Sequence, residues 1–247
     1  MKEIIFIFLT LIIYLNSYGQ TEGLFEIKEF IVKDSLQRRT VSDFKRQNSN
    51  FYEDENYIVS KTCSGEWGGT IKFKNKRTGV ETSCSATCPV VVNKLNGKYF
   101  VTNTLAHLMG FSELIEIPNP DSLSIFKLPK PRNRKGKTAI RYVGDDESKS
   151  TIATRQLVDS IGVLTLASFI YKEQLFHIVT DFQKTFVAKI ENKKFVTIDA
   201  ISKESIWTYD PEVIKTIDDH YVVFFSNETT KGYLDIYDNK INLIRYK

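Results

Sequence analysis

The chain has three histidines, few enough to read each for chemistry. His177 stands between Leu175 and Val179, its same-face neighbours on a strand of period two. That setting suits a core or channel-lining imidazole better than a metal ligand. His107 follows a strand in Leu105-Ala-His-Leu-Met-Gly110, and His220 sits in the Asp218-Asp219 turn. Their spacing recommends no metal site, and neither metal nor cofactor is expected.

Glu66-Trp67-Gly68-Gly69 offers a second kind of chemistry. A Trp in a glycine-rich loop presents a flat apolar surface to a sugar ring or a peptide, or folds down over the end of a sheet. Trp67, Glu66, His177 and Asp181 are the candidate ligand-binding residues, and no catalytic residue is identified. Glu113 and Glu116 fall on opposite faces of one strand and cannot form a catalytic pair with each other. Asp181, Asp199 and Asp235 lie in or just after strands and are the expected polar lining if a central channel exists. There is no Gly-x-Ser-x-Gly elbow, His-Glu-x-x-His pair, Gly-Lys-Ser/Thr phosphate loop or calcium loop. Those absences count against the common enzyme families. They say less about glycosidases, whose paired carboxylates come from distant strands.

Three cysteines are present: Cys63, Cys84 and Cys88. Cys84 and Cys88 lack the Cys-x-x-Cys spacing of redox and zinc sites, so one disulfide and one spare thiol is the simplest arithmetic. If strands flank Gly69–Asn75 on both sides, Cys63 and Cys84 lie about 9.5 Å apart, beyond disulfide reach. Pairing through Cys88 is then favoured.

Charge is unevenly spread. Lys127–Arg141 holds seven basic residues and no acid, against a net charge of +4 for the whole chain. The remainder is therefore net acidic, and a nucleic-acid partner is not expected. The stretch reads as a solvated insertion, or as a docking site for an acidic surface.

At the amino terminus, Lys2 precedes an apolar run, Ile4–Leu15, broken only by Thr10 and followed by Asn16-Ser-Tyr-Gly-Gln20. The run falls short of the ~20 residues that cross a bilayer, and Ser17 and Gly19 suit cleavage before Gln20. This predicts a signal peptide over 1–19, then one β-rich domain over 20–247 with an insertion at about 119–160. The mature chain is expected to be periplasmic or extracellular, without a transmembrane segment or a lipid-anchoring Cys. The run also resembles export signals of the Bacteroidetes group of bacteria.

These side chains must be positioned by strands. Aromatic content is 13%, with many Val, Ile and Thr, which favours β structure. Strands are expected at Gly69–Asn75, Val80–Ser85, Val90–Leu95, Lys98–Leu105, Glu113–Ile117, Val163–Phe169, Leu175–Thr180, Thr185–Ile190, Phe195–Ile201, Val213–Ile217, Tyr221–Ser226, Gly232–Tyr237 and Ile241–Tyr246. Short helices are expected around Ser42–Arg46 and near Thr151–Ser160. Pro89–Val101 aligns on Pro211–Val223 without a gap, and a looser third copy begins at Val163. Over roughly 55–118 and 161–247 the chain resembles a β-propeller of four or five blades, closed by the strand Gly23–Val32 near the last blade. A sandwich or barrel of hairpins uses the same alternation and stays open as the alternative. The resulting expectation is an exported, non-catalytic binding module for an unidentified protein or glycan. The alternative is a glycan hydrolase with carboxylates gathered on one propeller face.

Overall fold

A computed structural model describes residues 23–130, 132–134 and 137–247, so the expected signal peptide lies outside the described residues. The chain is all-β. It opens with β1 (Glu26–Val32), followed by a first antiparallel sheet of β2 (Tyr52–Glu53), β3 (Tyr57–Cys63), β4 (Gly69–Asn75) and β5 (Glu81–Ser85). The second sheet begins with β6 (Pro89–Leu95), β7 (Lys98–Leu105) and β8 (Phe111–Ile117). An insertion with the hairpin β9 (Arg132–Arg134) and β10 (Lys137–Ile140) intervenes before β11 (Arg155–Ile161) completes that sheet beside β8. β12 (Leu164–Tyr171), β13 (Gln174–Thr180), β14 (Thr185–Glu191) and β15 (Lys194–Ser202) form the third sheet. β16 (Val213–Lys215), β17 (Tyr221–Ser226), β18 (Lys231–Tyr237) and β19 (Lys240–Tyr246) form the fourth.

β1 lies on the outer edge of the fourth sheet, parallel to β19 with Glu26 opposite Lys240. An edge strand left open would template aggregation, and β1 covers this one. The aligned segments 89–101 and 211–223 each supply the first two strands of their own sheet. Tight hairpins join several neighbours. Asn96 and Gly97 take φ of 51° and 75°, and Asn192 and Lys193 take 50° and 61°, the left-handed pair that matches strand twist in a two-residue loop.

Several inner strands, among them β6, β12 and β13, are buried at nearly every position, as strands covered on both faces are. The first and second sheets share one apolar cluster, including Ile71, Phe73, Val92, Val101 and Ile115. The third and fourth share another, with Phe169, Phe176, Ile178, Leu234 and Leu243. The contact between the second and third sheets differs. Asn93 Nδ2 donates to Ser168 Oγ at 2.9 Å, and Thr102 Oγ1 meets the same hydroxyl at 2.6 Å, all buried. Ser112 Oγ donates to Thr165 Oγ1 at 3.0 Å farther along. That seam is held by hydroxyls and an amide.

Two expectations of helix are corrected. Residues 155–161 form β11, because the free edge of β8 offers a ladder, bulged at Leu157, that places Arg155 opposite Glu116. Around Ser42–Arg46 there is one 3-10 turn, Val41–Asp43, held by the reciprocal Thr40–Asp43 capping box. Arg46 then bridges to Thr216, which pulls the chain extended.

Candidate functional site

A cleft of about 570 Å³ opens along the seam between the second and third sheets. Leu95, Phe100, Leu114, Leu157, Leu175 and Ile190 give it an aliphatic and aromatic lining. Gln156, Gln174, His177, Arg155, Lys189 and Lys193 complete the wall, and no acid lines it. This volume is typical of small-molecule pockets.

Strand register explains the convergence. His177 sits opposite Ser168 on β12 and Ala188 on β14, and directly opposed residues share a face. Ser168 bonds to the second sheet, so His177 and its same-face neighbour Leu175 look that way too. On the facing side Phe100 pairs with Glu116, and Glu116 with Arg155, on the face that also carries Thr102 and Leu114. The Glu116 carboxylate is buried and held by Arg155 at 2.7 Å and Lys98 at 3.3 Å. Lys189 directs its ammonium over the Phe176 ring, 4.9 Å from the centroid. Lys193 stands in the β14–β15 turn, exposed, with no carboxylate pair among the described residues.

His177 is 1% exposed, and burial alone pushes its imidazole down to about 3. It is therefore neutral at physiological pH. Its Nδ1 has no hydrogen-bond partner, and the ring packs edge-on against Phe195 at 5.6 Å. An unpartnered buried nitrogen costs free energy, and this one lies just behind the cleft wall.

The other candidate residues do not meet there. Trp67 is 53% exposed on the 3-10 turn Gly65–Trp67, and its carbonyl accepts from Lys149 Nζ at 2.7 Å. A Cβ on Gly144 would come within 2.9 Å of Trp67 Cβ, so the insertion presses against the base of this side chain and leaves half of it to solvent. Glu66 approaches His107 at 3.5 Å. Asp181 accepts from the backbone N–H groups of Gln183 and Lys184 at 3.1 and 2.9 Å, closing its own hairpin turn. Asp199 accepts from the Phe25 N–H at 2.9 Å, and Asp235 meets His220 Nδ1 at 2.6 Å. The three acids expected along a channel are thus engaged at three separate places. Glu113 and Glu116 face opposite sides of β8: Glu113 bonds Asn103 and Gln156, Glu116 the two cations named above.

Cys63 and Cys88 form a disulfide with Cα atoms 4.4 Å apart. Cys84 is free, and burial pushes its thiol up to about 12, which removes it as a nucleophile. No group of His, Cys, Asp and Glu among the described residues is arranged to hold a metal, and no described helix is long and apolar enough to cross a membrane. In the basic stretch, Arg141 pairs with Asp146 at 2.9 Å. The side chains of 131–140, with Arg132, Arg134, Lys135 and Lys137, lie outside the described residues.

The sequence reads His177 as a core or channel-lining residue and does not point to its neighbours in the cleft wall. Leu157 and Arg155 lay in a segment read as helix, and Lys193 in an ordinary turn. Alternation in 155–161 is weak, since its exposed and buried positions do not strictly alternate. The strand signal there comes from its partner. No protein-family profile, curated protein or solved structure matches the chain.

Proposed function

We propose that the chain is a small four-bladed β-propeller acting outside the cytoplasm as a non-catalytic binding module, its ligand seated in the cleft between the second and third sheets. Four consecutive antiparallel meanders support the propeller, as do the two repeat copies at equivalent strand positions. The disulfide is compatible with an oxidising compartment. In the same reading, the basic stretch Lys127–Arg141 supplies contact with an acidic surface.

One observation carries the binding site: buried His177, with Nδ1 unpartnered, lies in the wall of a cleft otherwise lined mainly by apolar side chains. A partly aliphatic site of this kind suits a small ligand with an apolar body better than it suits a glycan. The test is fluorescence of a neutral apolar dye, N-phenyl-1-naphthylamine, titrated with purified protein. Saturable enhancement is expected in the wild type. Leu175→Trp, which fills the cleft from a half-buried position, should weaken it at least about tenfold while circular dichroism stays unchanged. Equal enhancement in both proteins would place the dye elsewhere and remove the reading.

A further inference from the structure

We propose that the ligand of this cleft is an amphipathic anion: an apolar chain or ring system ending in one carboxylate-like head. The inference rests on the cleft being the binding site and concerns what the site selects.

The selection is written in the distribution of charge. The apolar side chains Leu95, Phe100, Leu114, Leu157, Leu175 and Ile190 provide a surface that no polar ligand would reward. Every charged residue in the wall is basic. Lys189 is turned over Phe176 and Arg155 is paired with Glu116, which leaves Lys193 as the wall cation without a carboxylate partner among the described residues. Glu116 lies on this face of the sheet and is already matched by two cations, Arg155 and Lys98, while Glu113 holds the wall residue Gln156 from the other face. With Arg155 balanced by Glu116, Lys193 is the unmatched charge at the wall. A neutral ligand would leave that excess unanswered, and a cationic ligand would be repelled by it.

Lys193 is the better probe of the two, because its φ of 61° is tolerated by Asn and its removal breaks no ion pair among the described residues. Arg155 also anchors Glu116, so its loss would disturb a buried carboxylate.

The discriminating experiment uses two molecules of equal chain length, decanoate and decanol, competing with the neutral dye by isothermal titration or fluorescence. Decanoate should bind about tenfold tighter than decanol to the wild type. Lys193→Asn should weaken decanoate several-fold and leave decanol unchanged. If decanol binds as tightly as decanoate, or if Lys193→Asn weakens both alike, the anionic class is wrong and the cleft reading stands. If the dye itself does not bind the wild type, the cleft reading fails and takes this inference with it.

Discussion

Thr102 and Ser168 share a buried hydrogen bond of 2.6 Å across the seam between the second and third sheets. Ser168 Oγ also accepts from Asn93, whose own carbonyl accepts from Tyr221 OH on the fourth sheet at 3.1 Å. Three sheets are joined through one polar chain. Where that chain ends the seam is no longer filled, and the cleft around His177 begins. The cleft is thus a consequence of how the second and third sheets meet.

Replacing Ser168 by Ala strands the Thr102 hydroxyl in a buried site and leaves the Asn93 amide only its bond to the Ser168 carbonyl at 3.1 Å. The expected cost is about 1–3 kcal/mol, read as a lower urea midpoint with an unchanged slope. A neutral result would mean that water replaces the hydroxyl and that the network does not hold the seam.

His177 makes stability pH-dependent in a defined window. Its folded pKa, about 3, lies below the ordinary value near 6.5, so the unfolded chain binds the extra proton first. Stability from this group is present above pH 6.5 and is lost as pH falls toward 3, by about 1.4 kcal/mol per unit at most. Glu147 acts in the same direction at lower pH: burial pushes its carboxyl up, but hydroxyls of Ser64, Thr62 and Thr70 together outweigh that and hold it below the usual range. His177→Leu should therefore flatten the melting temperature between pH 6.5 and 5, above the carboxylate range. An unchanged profile would show that His177 is solvated when folded.

The cysteines give a counting test. Iodoacetamide should label no cysteine in the native protein, one after denaturation and three after reduction, as read by mass spectrometry. Cys63→Ser with Cys88→Ser opens a loop with a sequence separation of 25, which by the chain-entropy estimate costs about 3 kcal/mol. Rapid native labelling would contradict the burial of Cys84.

Much of the strand order is legible in the sequence alone. Val90–Leu95 and Lys98–Leu105 carry their pairing in local alternation and a tight Asn-Gly turn, and Tyr221–Ser226 repeats the pattern. β11 was not legible, because what makes Arg155–Ile161 a strand is the edge of β8, with Arg155 bonding Glu116 at a sequence separation of 39. The cleft was illegible for the same reason. Its wall draws on β6, β7, β8, β11, β13 and β14, and no local spacing records their convergence. His177 could be recognised as face-sharing with Leu175, but not as lacking a partner.

Trp67 lies apart from the cleft wall. Half exposed on a turn, it should tolerate Trp67→Ala with a melting-temperature change of no more than about 3 °C, consistent with a surface substitution. Dye and decanoate affinity should be unaffected, since Trp67 is not in the cleft wall. A large stability loss would show that its ring is core, and a loss of affinity would move the ligand site to that turn.

The most direct test of the cleft is a nuclear magnetic resonance titration of isotopically labelled protein with decanoate, following leucine methyls and the His177 ring nitrogens. Shifts concentrated at Leu95, Leu114, Leu157, Leu175 and His177 Nδ1 are expected. Shifts confined to the turns around Trp67 and Leu108, or none at any concentration, would contradict the assignment of the cleft as the binding site.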